Sequence, residues 1–163
     1  MAIIVEDGTG VAGANSYASA ATITAYALDR GITLPASVDS LIYRAMDFLE
    51  SFSSRFIGVR VSRDQALSWP REYVVIDGFE YPSALLPTMM ISALAELVIE
   101  VSAGSDPYNP PLGSLPVIRE RVEGAVDVEY SDPVGQAVSA AVRPAMRLIN
   151  QLIAAGQLFA VRA

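Results

Sequence analysis

The stretch from Leu85 to Val101 is apolar almost all the way round a helix. Pro87 suits the first position of that helix, and Gly104 lies just past its expected end near Ala103. Only Thr88, Ser92, Glu96 and Glu100 recur at helical spacing as a polar stripe. Such a helix does not rest on a surface with half its face in water. Either it runs through the middle of a domain, or it lays a second face against another subunit. It is not a membrane span, because Glu96 and Glu100 stand one turn apart inside it.

The rest of the chain supplies partners for it. Ala2 to Val5 reads as a short strand and Glu6 to Ala14 as a glycine-rich loop. Ser16 as an N-cap predicts a helix from Tyr17 to about Arg30, with Gly31 as its stop. Ser37 caps a second helix, roughly Val38 to Ser53. There Leu41, Ala45, Phe48, Leu49 and Phe52 follow helical spacing, and Ser40, Arg44, Asp47 and Ser51 line the opposite face. Arg55 to Pro82 reads as irregular, with a short helical turn at Arg63 to Leu67. Asp106 to Pro116 holds four of the ten prolines and is a loop. Val117 to Val122 and Ala125 to Ser131 alternate around Glu123-Gly124 and predict a β-hairpin, with Val126, Val128 and Tyr130 on one face. Asp132 to Val142 reads as extended. Pro144 opens a last helix to about Ala155, and Gly156 ends it. The expected fold is mainly α, a domain of about four helices with a β-hairpin. It covers 1–163 as one unit: an N-terminal loop or arm (1–16), a helical body (17–155, hairpin near 117–131) and a tail (156–163).

Chemistry is constrained by what is missing. The chain has no cysteine and no histidine, and all eleven basic residues are arginine. Without histidine the usual serine triad does not form, and without lysine a phosphate loop lacks its cation. No disulfide or thiolate metal site is available. Carboxylate pairs occur at Glu6/Asp7, Asp47/Glu50, Glu96/Glu100 and Asp127/Glu129, but none has metal-loop spacing, and such pairs are mostly solvated surface. The expectation is a protein that is not an enzyme, with no catalytic residue, cofactor or metal. A net charge of −7 disfavours general binding to nucleic acid or anionic lipid. No targeting segment is apparent, since Glu6 and Asp7 end the apolar run of Met1 to Val5. With 52% apolar residues and few reactive groups, the composition favours interfaces over turnover.

Two motifs need weighing. Gly8-Thr9-Gly10-Val11-Ala12-Gly13 spells G-x-G-x-x-G, the dinucleotide fingerprint, with Asp29 downstream. In that fingerprint the third glycine lies inside the helix, whereas Asn15-Ser16 looks like a cap placed after it. No βα alternation follows, so the motif reads as a plain loop and a nucleotide-dependent enzyme is the remote alternative. Arg55-Phe56, Arg60, Arg63, Trp69, Arg71 and Tyr73 come closest to the interleaved aromatics and cations of a single-strand binder. The plainer reading packs Trp69 and Tyr73 in the core and puts Arg71 in a salt bridge.

Three stretches together carry a resemblance. They are Val5-Glu6-Asp7-Gly8-Thr9-Gly10 through Ala14-Asn15-Ser16-Tyr17, Asp64-Gln65-Ala66-Leu67-Ser68-Trp69-Pro70-Arg71, and Arg119-Glu120-Arg121-Val122 with Val128-Glu129-Tyr130-Ser131. In this order the chain resembles a family of tailed-bacteriophage proteins labelled DnaT-like single-strand DNA-binding protein. It is also similar to the head–tail connector, or adaptor, proteins of the phage neck. The connector likeness implies a virion protein assembled in the host cytoplasm. It would form a ring of typically twelve copies between the portal protein and a tail or neck protein, with genomic DNA passing through the lumen without specific binding. The DnaT-like label implies the alternative, an accessory protein that binds single-stranded DNA. On the connector expectation Leu158, Phe159 and Val161 of the apolar tail form an interface. That tail and the N-terminal loop order on assembly, and Trp69, Pro70 and Arg71 hold the middle loop in place.

Overall fold

The computed structural model describes residues 2–108, 119–122, 126–129 and 143–153. They form helices α1 (Ala20–Leu28), α2 (Val38–Glu50), α3 (Thr88–Ser102) and α4 (Arg143–Leu152). Three two-stranded antiparallel sheets accompany them: β1 (Val59–Arg60) with β2 (Arg71–Glu72), β3 (Val74–Ile76) with β4 (Phe79–Tyr81), and β5 (Arg119–Val122) with β6 (Val126–Glu129). The fold is mainly α, as the sequence predicts.

The apolar helix is central. α3 packs against α1, α2 and α4, and Met90, Ala93, Leu94, Leu97, Val98 and Val101 are buried along it. Its polar stripe turns toward α1, where the Tyr26 hydroxyl donates to Glu96 Oε1 at 2.8 Å. Arg30 lies 3.7 Å from the same oxygen, with its guanidinium 3.3 Å from the Tyr26 ring centre. α2 buries Val38, Ile42, Ala45, Met46 and Leu49, while Ser40, Arg44, Asp47 and Ser51 face solvent. α4 contributes Ala145, Ile149 and Leu152 to the same core. Its end is stitched to the middle segment, since Ile57 N–H donates to the Leu152 carbonyl at 2.9 Å.

Several local expectations change. The first helix begins at Ala20 with Ser19 as its cap, accepting from Thr22 N–H, rather than at Tyr17 after Ser16. The physical reason is that Ser16 is used as an extended residue. It forms a parallel bridge with Val5, and its carbonyl accepts from Glu6 N–H at 2.8 Å. That bridge replaces the strand expected over Ala2–Val5, and it ties down an arm expected to order only on assembly. The segment read as irregular holds two ribbons, β1–β2 and β3–β4, with strands of two or three residues, too short to show alternation. There is no helical turn at 63–67, because Gln65 folds inward instead and is buried. The hairpin over β5 and β6 pairs Arg119 with Glu129 and Val122 with Val126. Residues 130–142 and the tail with Leu158, Phe159 and Val161 lie outside the described residues.

Leu94→Ala removes a fully buried side chain from the helix that every other helix touches. It should cost about 2–5 kcal/mol in urea unfolding with little change in slope. Gly8→Ala should also destabilise, because φ is +104° there and a Cβ would stand 2.3 Å from the Ala84 carbonyl oxygen.

Candidate functional site

The two best motifs of the sequence meet in space. Tyr17, from the first, reaches the end of α2 and donates its hydroxyl to Glu50 Oε1 in a short hydrogen bond. The same hydroxyl accepts from Trp69 N–H, in the second motif, at 3.2 Å. The other Glu50 oxygen accepts from Ser68 N–H at 3.1 Å and from Ser68 Oγ at 2.5 Å. Burial, and then the Glu50 charge, push the Tyr17 pKa well above the usual tyrosine value of 10.0. Sequence reading placed Glu50 among solvated carboxylates; its role rests on residues 18 and 33 positions away.

Trp69 is fully buried, edge-on to Phe56 with ring centres 6.1 Å apart, and the Trp69–Pro70 peptide is cis. Arg71 is also buried, but not in the salt bridge expected for it. Its guanidinium donates to four backbone carbonyls: Ile57 at 2.7 Å, Gly58 at 2.8 Å, and Phe56 and Ser68 at 3.2 Å each. Desolvation, and then the charge of Arg60 across the ribbon, lower its pKa from the usual arginine value. A carbonyl cage suits a cation that carries five donors in a fixed fork. Gln65 completes the frame, donating to the Leu67 and Pro70 carbonyls at 2.9 and 3.0 Å.

The glycine loop has no room for a phosphate. Glu6 is buried and its carboxylate takes the amides of Gly8, Gly10 and Val11 at 2.8–2.9 Å. These are the loop donors that a dinucleotide would need. Among the described residues no three carboxylates converge as a metal-ligand set.

What this frame presents to solvent is the pair of ribbons. Tyr73, expected in the core, is 76% exposed at φ +57° in the single-residue link between β2 and β3. Phe79 is 78% exposed after the Asp77-Gly78 turn, and Val59, Val61 and Val75 are exposed with it. Arg55, Arg60 and Arg63 are exposed on the same segment. An open cavity of about 600 Å³ lies beside Tyr73, lined by Glu72, Glu80, Tyr81 and the 82–84 turn. Of the aromatic–arginine set seen in the sequence, Phe56, Trp69 and Arg71 are therefore structural. Tyr73 and the three exposed arginines remain available, and Phe79 joins them. The missed signal is the Asp77-Gly78 pair between apolar residues, a hairpin turn in a segment read as irregular.

The sequence model of the family described as "Putative DnaT-like ssDNA binding protein" matches residues 1–163. The chain belongs to that family. No curated protein and no solved structure matches it. The DnaT-like membership covers the arm, the helical body and the ribbons alike. No helix among the described residues is long and apolar enough to cross a membrane.

The Tyr17–Glu50 pair predicts an alkaline limit. A folded pKa above the unfolded value of 10.0 gives stability that is fully present below pH 10. That stability is lost as pH rises through 10 toward the folded value. Chemical denaturation from pH 8 to 11 should show this fall, and Tyr17→Phe should flatten it. The variant should also lose roughly 1–3 kcal/mol at pH 7, because Glu50 and Trp69 N–H each lose a partner.

Proposed function

We propose that this chain is an accessory protein that binds single-stranded DNA through the ribbons of residues 59–81. The observation that carries the reading is family membership over the whole chain. Support comes from Tyr73 and Phe79, exposed on the same stretch of chain as the exposed Arg55, Arg60 and Arg63. Bases stack on aromatic side chains while arginines follow the backbone. The net charge of −7 keeps the binding weak, and the arginine–phosphate contacts make it sensitive to salt. In fluorescence anisotropy with labelled oligothymidine at low salt, Tyr73→Ala and Arg60→Ala should each weaken binding. Arg60→Ala should also make the salt slope shallower. An unchanged affinity in both variants would remove this face from the reading.

A second reading, the head–tail connector, is favoured by one observation. Val59, Val61, Tyr73, Val75 and Phe79 are all exposed within a single segment. So many large apolar side chains exposed in one stretch of chain fit contacts between proteins. On this reading the chain forms a ring of about twelve copies in the phage neck, as a non-enzymatic subunit without cofactor, between the portal and a tail protein, and DNA slides through a weakly binding lumen. Light scattering of the chain mixed with the portal protein of the same genome should then show a large stoichiometric complex. Deleting residues 158–163 should abolish docking. A lone monomer in the mixture would leave DNA binding as the function.

A further inference from the structure

The ribbons carry two poles of opposite charge. One is β1 and the loop after it, where Val59, Arg60, Val61 and Arg63 are all exposed. Arg60 lies opposite the buried Arg71 in the register, so its surroundings add positive charge rather than cancel it. The other pole is the cavity beside Tyr73, with Glu72, Glu80 and Tyr81 on its walls. Among the described residues none of Arg60, Arg63, Glu72 and Glu80 is in an ion pair, for the one pair there joins Arg30 to Glu96.

That one pair shows what the poles lack. Arg30 stacks on Tyr26 and approaches Glu96, which also takes the Tyr26 hydroxyl. Arginine, tyrosine and glutamate together give a stacked cation with a carboxylate at its edge. The cavity holds the tyrosine and carboxylates of the same set without an arginine. The β1 pole holds arginines without the rest. They do not close on each other within one chain. Val59 pairs with Glu72 and Arg60 with Arg71, so Arg60 and Glu72 project from opposite faces of the ribbon.

We propose that the cavity receives the β1 pole of a second copy of this chain. Arg60 or Arg63 enters between Tyr73 and the carboxylates of Glu72 and Glu80. Charge complementarity commits the site to this occupant. The chain's basic residues are all arginine, the residue that such a cavity fits best. The contact depends on neither function proposed for the chain. A ring subunit would use it laterally, and in a single-strand binder it would compete with DNA for Arg60 and Tyr73.

The test is a charge swap on the full chain, read by sedimentation velocity over a concentration series at low salt. The wild type should self-associate, and added salt should weaken the association. Arg60→Glu and Glu80→Arg should each weaken it by roughly tenfold. An equimolar mixture of the two variants should recover it, because each supplies the charge that the other lacks. Circular dichroism melts would establish that both variants fold. Oligothymidine binding separates this contact from the DNA reading, since Glu80→Arg should strengthen DNA binding while it breaks self-association. A wild type that stays monomeric throughout would overturn the proposal. So would single variants that associate normally, or a mixture that shows no recovery.

Discussion

The carboxylate of Glu50, at the last residue of α2, accepts hydrogen bonds from Tyr17 and from both the amide and hydroxyl of Ser68. It thereby joins the N-terminal arm, the second helix and the middle segment at one point. A half-buried carboxylate with one oxygen unmet would be costly, so all three donors have to arrive together. Tyr17 arrives because Ser16 is locked to Val5 and Glu6 rather than to a helix. Ser68 arrives because Trp69 is sunk in the core beside Phe56. The arm is therefore part of the folded body, and the start of α1 at Ala20 follows from the geometry that Tyr17 must keep.

Arg71 extends this frame outward. Its four carbonyl partners span residues 56, 57, 58 and 68, so one side chain closes the loop between β1 and β2 from within. Gly58 lets the two strands approach this closely, for a Cβ there would stand 2.3 Å from the Glu72 carbonyl oxygen. A two-stranded ribbon of such short strands has little stability of its own. The base of the β1–β2 ribbon is held by the hydrogen bonds of Glu50 and Arg71 to residues 56–58 and 68. The outer parts of the ribbons are left to carry Tyr73, Val75 and Phe79 into solvent. Aromatic side chains on a fixed base lose less freedom on contact than they would on a free loop, which favours binding whatever the partner.

How much of this was legible depended on the range of the interaction. The central helix could be read because a helix with so narrow a polar stripe has to be covered on nearly every side. α2 could be read because its polar face of Ser40, Arg44 and Asp47 separates cleanly, although the buried face centres on Ile42, Ala45, Met46 and Leu49, with Leu41, Phe48 and Phe52 only half-buried. The loop reading of the G-x-G-x-x-G segment rested on Ser16 as a helix cap, which it is not; the physical reason is Glu6, whose carboxylate fills the place of a phosphate. The ribbons were not legible, since two-residue strands have no period. Tyr73 and Arg71 were misjudged for one shared reason. An aromatic residue and a cation two positions apart were assigned by average preference. The β2–β3 link at positive φ turns the tyrosine out, and the carbonyl cage draws the arginine in without an acid.

Net charge alone is a poor guide to what such a face binds. The total of −7 is the sum over a whole surface, whereas the ribbons separate the signs, with Arg60 and Arg63 at one pole and Glu72 and Glu80 at the other. A partner approaching β1 meets arginine and valine, and a partner approaching the cavity meets tyrosine and carboxylate. Phosphate suits the first pole and is repelled at the second; a protein surface with an arginine suits the second. On the two proposals, DNA and a neighbouring copy would compete for the β1 pole, while the acidic cavity would serve the protein contact alone. Which partner takes the β1 pole would then be set by ionic strength and by the local concentration of each, rather than by the overall acidity of the chain.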